Sequence, residues 1–353
     1  MAAVSLIDLS VVLGRQAILD GITLEIADGA FVAVVGPSGT GKSTLLRTIA
    51  GLTPADDGTI LFDGVDVTRV EPAERDIGMV FQTPALLPNR NVRRNVEFPL
   101  ELRKETADAI HARVSAEVRA MHIEHLLRRK PAHLSRGEEQ LVQIARTMVR
   151  SPRVLLLDEP FAPLDAHLRS RMRAEIQLLQ RGYDVTTLMA TNDPTDAMAL
   201  ASTIVVLDGT PARVVQLGTP GDLHAEPATL DVAMATGVLW TIPVRVERDG
   251  GGYWLVHDGA VRLRSWTPAL EPHVGGTVTL GVRPTDFVRD DRGEATARLR
   301  RVVPGADAAL LCSWGDRMVT GSGSADSEEI GRQIRLRVVR SVIFDAVDGR
   351  RIA

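Results

Sequence analysis

The 353-residue chain is poor in several features, and each scarcity excludes a class of protein. Its single cysteine, Cys312, excludes an internal disulfide and fits a reducing cytosol. Its net charge of −4 lacks the basic excess of a general nucleic-acid binder. No run approaches the ~18–20 apolar residues that cross a bilayer, and the N-terminus lacks a basic-then-apolar signal segment. We therefore expect a soluble protein without a nucleic-acid partner, and any membrane role would require a separate membrane protein.

The length and a change of pattern predict two domains. A single hydrophobic core stops growing at roughly 250–300 residues. Beyond about residue 236, the hydrophobic pattern alternates with period two, as in Val261–Arg264 and Thr277–Val282, and glycine, proline and aspartate separate the segments. Short alternating strands of this kind indicate a small β-barrel or sandwich. We predict domains at residues 1–235 and 236–353.

A glycine-rich segment lies between the apolar run Phe31–Val35 and a predicted helix, Ser43–Ala50. It fits the pattern G-x-x-x-x-G-K-[ST], in which glycines let successive backbone N–H groups point at phosphate oxygens. Lys42 is expected to reach the β- and γ-phosphates and Ser43 to ligate Mg²⁺, while the helix N-terminus adds its positive end. The strand–loop–helix context disfavours a chance glycine-rich turn. The predicted phosphate-binding residues are Gly36, Pro37, Ser38, Gly39, Thr40, Gly41, Lys42, Ser43 and Thr44.

Two acidic residues follow a second buried-strand run, Val154–Leu157. At the carboxyl end of a parallel strand beside the phosphate loop, Asp158 can hold Mg²⁺, and Glu159 can orient or deprotonate the attacking water. Taken alone, two acids after an apolar run indicate only a strand leaving the core. Together with the phosphate loop, they predict ATP hydrolysis.

A third segment, His133–Gln140, precedes a predicted helix, and its Ser135 and Glu138 form the S-x-x-E pattern of a capping box. Because this segment lies shortly before the strand that ends at Asp158, it resembles the LSGGQ signature of ABC ATPases. The order of the remaining segments is similar to that family: a Q-loop at Gln82, a D-loop at Ala162-Pro163-Leu164-Asp165 and a switch-histidine segment at Ala190–Met198. The resemblance runs from about Val4 to the C-terminus. It is closest to the ATPase subunits of maltose-type carbohydrate importers, whose C-terminal β-domain contains a piece similar to Leu280–Pro284.

This resemblance implies an α/β fold of the P-loop ABC ATPase type, with a mixed-sheet core, a helical subdomain at about residues 86–150 and a C-terminal OB-like, all-β domain of the TOBE type. Two subunits would close over two ATP molecules. Each ATP would contact one chain's phosphate loop and the other chain's signature, through Ser135 and Gly137, with Asp165 nearby. Gln82 is implied as a Mg²⁺ ligand and, with Glu159, as a catalytic residue.

The resemblance also implies partners. The chain would lie on the cytoplasmic face of the cell membrane, bound to two transmembrane permease subunits and to a second ATPase subunit, identical or different. An extracytoplasmic solute-binding protein would act indirectly. The apolar segment Thr83–Asn89 would receive a coupling helix of the permease, because a monomer would not readily expose it. The alternative is a loop that folds back on the helical subdomain.

Asn192 stands where the family has its catalytic histidine. A histidine can be cationic near neutral pH, whereas asparagine is always neutral. Charge-assisted hydrogen bonds are about twice as strong as neutral ones. We therefore predict near-normal ATP binding with weaker stabilisation of the transition state.

Two further positions depart from the family. The signature reads Leu-Ser-Arg-Gly-Glu, so Arg136 replaces a glycine and Glu138 brings a carboxylate near the partner's γ-phosphate; Arg136 could neutralise Glu138 or contact phosphate itself. Leu13 stands where an aromatic side chain would stack on adenine, an interaction worth ~1–3 kcal/mol. With aromatics at 4% of the chain, low aromatic usage alone could explain Leu13.

The sequence leaves several alternatives open. Either a homodimer or a heterodimer could combine Asn192 with the altered signature. The chain could also be a low-turnover regulatory partner of a second ATPase, or a non-transport ABC switch protein, although such proteins often have two cassettes or a long coiled coil. The family expectation for the cargo is carbohydrate; polyamine, iron and oxyanion remain possible.

Overall fold

The computed structural model describes residues 2–162, 164–257, 261–293, 295–303, 309–314, 317–323, 325 and 327–353. Within them the chain forms two compact units, Met1–Ala225 and Glu226–Ala353, here called the first and second units. Each unit has its own buried hydrophobic cluster. Pro163, in the segment that resembles a D-loop, lies outside the described residues.

A ten-stranded sheet forms the centre of the first unit. Its strands are β1 (Val4–Leu13), β2 (Gln16–Ile26), β3 (Phe31–Val35), β4 (Asp57–Phe62), β5 (Val65–Asp66), β6 (Ile77–Val80), β7 (Val154–Asp158), β8 (Thr186–Ala190), β9 (Thr203–Gly209) and β10 (Ala212–Gly218). The order is β5-β4-β1-β2-β10-β9-β3-β8-β7-β6. The segment from β9 to β6 is parallel, and every residue of β3, β7 and β8 is buried. Burial on both faces explains why these strands are continuous apolar runs in the sequence.

Several helices of the first unit contact this sheet, and others lie in the range predicted for the helical subdomain. The helices of the first unit are α1 (Lys42–Ile49), α2 (Val92–Leu102), α3 (Ala107–Ala120), α4 (Arg136–Met148), α5 (Ala166–Tyr183), α6 (Pro194–Leu200) and α7 (Pro220–Ala225). Helices α2, α3 and α4 occupy the range predicted for the subdomain. Val114 and Val118 of α3 are buried, as is Met121, which caps the C-terminal end of this helix.

The C-terminal end of α1 is held by Arg75, a residue that the sequence analysis did not single out. Its side chain is buried, and Nη1 donates to the carbonyl oxygens of Thr48 and Ile49 at 3.0 and 2.8 Å. Burial lowers the pKa of Arg75, while the Asp66 and Glu71 carboxylates oppose this effect. A cation at a helix C-terminus is favoured by the helix dipole. Arg75 therefore fixes the helix that begins at the phosphate loop.

The second unit contains one α-helix, three short 3-10 helices and ten strands within the described residues. The α-helix and the strands are α8 (Leu230–Ala235), β11 (Trp240–Asp249), β12 (Gly252–His257), β13 (Val261–Ser265), β14 (Thr277–Val282), β15 (Phe287–Arg289), β16 (Ala295–Val303), β17 (Ala309–Trp314), β18 (Arg317–Ser322), β19 (Gln333–Val338) and β20 (Val342–Asp345). Strands β16, β17, β18, β15 and β19 pair in a closed ring, since β16 pairs with both β17 and β19. A closed five-stranded barrel agrees with the OB-like expectation.

The two compact units divide after Ala225, whereas the sequence pattern placed the division near residue 236. Helix α8 accounts for the difference. Its Ala233 packs with Val342 and Phe344, and Arg283 Nη2 donates to the Ala233 carbonyl at 3.3 Å. The helix thus belongs structurally with the β-rich unit.

The lengths and compositions of the helices bear on membrane association. None of the helices found among the described residues is both long enough and apolar enough to span a membrane.

Candidate functional site

Four neighbouring parallel strands bring the predicted site residues to one edge of the first unit's sheet. In the order β3-β8-β7-β6, Val34 is in register with Ala190, and Ala190 with Asp158. The phosphate loop follows β3, Asn192 follows β8, Asp158 ends β7 and Gln82 follows β6. The carboxyl ends of parallel strands are where open α/β sheets bind ligands.

The phosphate loop has a backbone conformation that its glycines make possible. Gly36, Gly39 and Gly41 have φ values of 153°, 88° and 84°. At Gly36, a β-carbon would lie 2.2 Å from the carbonyl oxygen of Leu207, so a larger residue would collide with β9. Thr40 Oγ1 donates to the carbonyl of Pro37 at 2.9 Å and closes the loop on itself. The loop therefore has the wrapped form that phosphate binding requires.

Lys42 is held against the loop it serves. Nζ donates to the carbonyl oxygens of Gly36 at 2.9 Å and Pro37 at 2.8 Å, and the residue is 5% exposed. Burial lowers the pKa of Lys42, while the charges of Glu159 and Asp158 oppose this effect. A triphosphate would offer the ammonium group charged acceptors in place of neutral carbonyls, which strengthens each hydrogen bond.

Ser43 and Asp158 form the second contact of the site. Ser43 Oγ donates to Asp158 Oδ1 at 2.6 Å, and Asp158 is 2% exposed. A hydroxyl and a carboxylate oxygen thereby meet at the start of α1, beside the phosphate loop. Oxygen ligands of this kind are the ones that Mg²⁺ takes.

The carboxylate of Glu159 accepts hydrogen bonds from two side-chain amides. Gln82 Nε2 donates to Oε2 at 3.0 Å, and Asn192 Nδ2 donates to Oε1. Glu159 itself has a φ of 45°, and its N–H donates to the carbonyl of Ala190 at 2.9 Å. A left-handed non-glycine residue is uncommon, and such residues cluster at functional sites. The three residues predicted as catalytic therefore meet at the carboxylate of Glu159. We call this arrangement of Gln82, Glu159 and Asn192 the amide clamp.

An ionic network that the sequence analysis missed supports the Asn192 segment. Arg169 Nη1 pairs with Asp193, and Arg173 Nη1 pairs with Asp196 at 3.2 Å. Burial raises the pKa of Asp196 to about 6, and the charge of Asp193 adds to this effect. The sequence signal for this network is the i, i+4 spacing of Arg169 and Arg173. This spacing places both side chains on the same face of α5, the face toward α6.

The signature segment begins α4 with the predicted capping box. Glu138 N–H donates to Ser135 Oγ at 3.3 Å, and the N–H of Ser135 donates to Glu138 Oε2 at 2.7 Å. Arg129 Nη1 donates to Glu138 Oε1 at 3.2 Å. Burial raises the pKa of Glu138, but hydrogen bonds from Ser135 and the charges of Arg129 and His125 outweigh it, so the net shift is downward. Arg129, rather than Arg136, is the residue that neutralises Glu138 in this chain.

Gly137 has a packing role in the first turn of α4. A β-carbon at this position would lie 2.0 Å from Leu168 Cδ2 and 3.4 Å from Leu164 Cδ2. Asp165 caps the neighbouring helix α5, where Oδ1 accepts a hydrogen bond from the N–H of Leu168 at 2.9 Å. The hydrogen bonds of Ser135 and Asp165 are thus local to their own helices, and both side chains are exposed.

Leu13 lies at the tip of the β1–β2 hairpin and is 47% exposed. Its partner in the register is Gln16, and two residues further along β2, Ile18 approaches the phosphate loop. A β-carbon on Gly41 would lie 2.7 Å from Ile18 Cγ2. At about 3.3 Å per residue, the hairpin tip begins roughly 7 Å from this contact.

Cationic, hydroxyl and carboxylate groups thus converge where a triphosphate would extend from the loop. The fold and this arrangement define a P-loop nucleoside triphosphatase.

Comparisons with known proteins agree with this class. The family model described as "ABC transporter" matches residues 19–162. The chain is 35% identical over 347 residues to the sn-glycerol-3-phosphate import ATP-binding protein UgpC of Shigella boydii, with 96% of each chain covered. It is equally similar, over the same lengths, to UgpC of Escherichia coli K12. The chain belongs to the ATP-binding proteins of ABC transporters, which confirms the family, the fold class and the transport ATPase activity expected from the sequence.

Two solved structures resemble the first unit's fold. CbiO1 of Clostridium perfringens, part of the ABC transporter complex cbiONQ, has a TM-score of 0.59 and 30% identity, covering 63% of this chain and 90% of its own. An ATP-binding cassette in a dimeric post-hydrolysis state with ADP and phosphate has a TM-score of 0.55 and 27% identity, covering 61% and 98%.

Proposed function

We propose that this chain hydrolyses Mg·ATP at the amide-clamped site and thereby drives a carbohydrate-type importer. The observation that carries the proposal is the convergence of Lys42, the Ser43–Asp158 pair and Glu159 at the carboxyl ends of adjacent parallel strands. This arrangement provides a phosphate-binding cation, metal-ligating oxygens and a carboxylate that can act on water.

Each residue has a distinct role in this proposal. Loop amides and Lys42 bind the phosphates, and the Ser43 hydroxyl and Asp158 carboxylate would hold Mg²⁺, which neutralises phosphate charge when bound. Gln82 is proposed to reach the same metal and to hold Glu159. Glu159 would accept a proton from, or orient, the attacking water. Asn192 holds the second oxygen of Glu159 through the hydrogen bond from Nδ2.

We propose that the active form is a dimer. Ser135 and Gly137 begin a helix whose N-terminal N–H groups are suited to phosphate binding, and their hydrogen-bonding partners within the chain are local. Their phosphate would come from ATP on the other subunit, with Asp165 near the same junction. The first unit would form the ATPase domain, and the β-rich second unit would serve dimer contact or regulation.

The permease is proposed to dock at Thr83–Asn89. This loop is tied to the helical subdomain, since Arg146 Nη2 donates to the Ala85 carbonyl at 2.8 Å and Asn95 Oδ1 accepts from Leu87 N–H at 2.8 Å. Beside it lies a cavity of about 460 Å³. Its lining combines apolar and arginine side chains, namely Ala73, Phe98, Pro99, Leu102, Arg103, Arg146 and Arg150. Leu102 is 67% exposed, which suits an apolar helix face of a membrane partner on the cytoplasmic side.

The proposed cargo is a sugar or a phosphorylated polyol. The relatives named above import sn-glycerol 3-phosphate according to their names, and they match this chain over 96% of its length. A solute-binding protein outside the membrane would present the cargo to the permease.

A second candidate function is a low-turnover ATP-binding partner of another ATPase chain. Asn192 favours it, because the clamp contains two neutral amides and no imidazole. Both functions share the nucleotide site and differ in the turnover number.

The test is reconstitution of the chain with its permease subunits in lipid vesicles, first alone and then with a second ATPase subunit. We expect Mg²⁺-dependent phosphate release and uptake of labelled glycerol 3-phosphate or maltose, both lost with Glu159→Gln. Phosphate release only when a second ATPase chain is present would favour the regulatory function. Hydrolysis that is indifferent to Glu159→Gln would refute the site assignment.

A further inference from the structure

A single arginine on α5 joins the two loops that meet at the amide clamp. Arg169 Nη2 donates to the carbonyl oxygen of Phe161 at 3.3 Å, and Nη1 pairs with the Asp193 carboxylate. Phe161 lies two residues after Glu159, and Asp193 directly follows Asn192. We call Arg169, the Phe161 carbonyl and Asp193 the arginine bridge. It lies wholly in the first unit and links the backbone next to Glu159 with the backbone next to Asn192.

The end of the bridge near Glu159 passes through backbone with little freedom. Pro160 separates Glu159 from Phe161, and its ring fixes its φ at about −65°. Phe161 is buried, so the carbonyl that Arg169 holds cannot shift without disturbing the packing around it. Because a single proline separates the two residues, a constraint on the Phe161 carbonyl also constrains the backbone of Glu159.

The conformation of Glu159 requires such a constraint. Its φ of 45° lies in the left-handed region, which a non-glycine residue keeps only where the surrounding structure holds it there. The hydrogen bond from the Glu159 N–H to the Ala190 carbonyl at 2.9 Å holds the residue on one side. Arg169 holds the chain on the other side, through Phe161. Without Arg169, the loop would be free to relax and to carry the Glu159 carboxylate away from the clamp amides.

The end of the bridge near Asn192 is also fixed. Asp193 caps α6, since Oδ1 accepts a hydrogen bond from the Thr195 N–H at 2.8 Å while Oδ2 pairs with Arg169. The Asp193 N–H donates to Thr191 Oγ1 at 3.0 Å. Burial raises the pKa of Asp193, but hydrogen bonds from Thr195 and the charge of Arg169 outweigh it, so the net shift is downward. Asp193 is therefore ionised at neutral pH, and any movement of it would displace Asn192.

We propose that Arg169 is a positioning residue for ATP hydrolysis, which holds the Glu159 and Asn192 loops at the separation that the amide clamp requires. This role rests on the proposed function, because it belongs to the same site. A guanidinium suits the role because its planar fork presents two Nη groups in a fixed geometry, whereas a lysine ammonium is a compact charge on a flexible stem. The alternative is an ion pair that only stabilises the packing of α5 on α6.

The test compares the turnover number with nucleotide affinity in the permease-bound complex. Arg169→Gln should lower kcat by roughly ten- to a hundredfold, because small misplacements of catalytic groups have effects of this size. The Kd of a non-hydrolysable ATP analogue should change by less than about twofold, because the bridge acts on the reaction and not on phosphate binding. Asp193→Asn, which keeps an acceptor for the helix cap, should lower kcat in the same way, and Arg169→Lys should be intermediate. Arg171→Gln, at an exposed arginine of the same helix, is the matched control and should keep the parental kcat.

A double-mutant cycle separates positioning from stability. In the Asn192→Ala background one donor of the clamp is already gone, so Arg169→Gln should lower kcat by a smaller factor than it does in the parent. Thermal unfolding of every variant is recorded beside the kinetics. Where Arg169→Gln fails to fold, Asp193→Asn takes its place in the cycle.

The contrary outcomes are distinct. Parental kcat in both Arg169→Gln and Asp193→Asn would leave Arg169 as a structural ion pair and overturn the proposal. Equal factors in the two backgrounds of the cycle, or a matching loss with Arg171→Gln, would overturn it too. The proposed function fails separately, because it requires that the parent hydrolyse ATP and that Glu159→Gln not do so, whatever the Arg169 variants do.

Discussion

Replacement of Asn192 by histidine tests the amide clamp most directly. Asn192 Nδ2 donates to Glu159 Oε1 while Gln82 Nε2 holds Oε2 at 3.0 Å. Asn192→His would exchange a neutral donor at this carboxylate for one that can be cationic. We expect a higher ATPase turnover number with little change in ATP affinity, because binding rests on Lys42, the loop amides and Mg²⁺.

The magnitude follows from the two kinds of hydrogen bond. A neutral hydrogen bond contributes about 1 kcal/mol and a charged one about 1.5–3 kcal/mol. The difference of about 0.5–2 kcal/mol in the transition state corresponds to a roughly 2- to 30-fold higher rate.

The assay is phosphate release by the permease-bound complex at saturating ATP, with single-turnover kinetics to separate chemistry from product release. Asn192→Ala serves as the control and should lower turnover, because it frees one oxygen of Glu159. Unchanged or lower turnover with Asn192→His, at unchanged ATP affinity, would refute the reasoning.

Four further predictions concern binding, hydrolysis, domain independence and pH. Lys42→Ala should weaken ATP binding by about 100-fold in calorimetry, because it removes the buried ammonium group. Glu159→Gln should retain bound ATP and stabilise the closed dimer in size-exclusion chromatography, because water activation is lost. The fragment Met1–Ala225 should fold and bind ATP, since the whole phosphate site lies within it. Burial raises the pKa of Glu117 to about 7 from an ordinary value near 4.5, although Tyr183 donates a hydrogen bond to it. The contribution of Glu117 to the free energy of unfolding should therefore be greatest below pH 4.5 and fall by about 3 kcal/mol as the pH rises through 7, and Glu117→Gln should remove this contribution in urea titrations.

Controls and contrary outcomes are available for each. Lys130→Ala, at an exposed lysine, should bind ATP normally; equal loss in both lysine variants would indicate a general charge effect. Rapid turnover by Glu159→Gln would point to another base. A folded Met1–Ala225 fragment without ATP affinity would contradict the division of labour between the units. Parallel pH curves for the parent and Glu117→Gln would show that Glu117 is not the titrating group.

Motif geometry is the part of the site that sequence patterns predicted well. Gly36 and Gly41 occupy positive-φ positions that few other residues tolerate, so the phosphate loop is encoded locally. The Ser135–Glu138 capping box is equally local, and it is confirmed at the start of α4. The partner of Glu138 was harder to predict: the sequence suggested Arg136, whereas the fold brings Arg129 to it. Adjacency along the chain is a poor guide to ion pairs when a turn precedes a helix.

The sequence by itself determined the fold class, the nucleotide and the reaction, because short segments with their own turn, cap and strand patterns carry these features. Only the tertiary structure decided how distant groups act together. The amide clamp joins Gln82, Glu159 and Asn192 from three loops, and it depends on the order of β6, β7 and β8 in the sheet. The hydrogen bond from Tyr183 to the buried Glu117 likewise joins α5 to α3. Such contacts depend on long-range strand order and helix packing, which periodicity and local propensity do not encode.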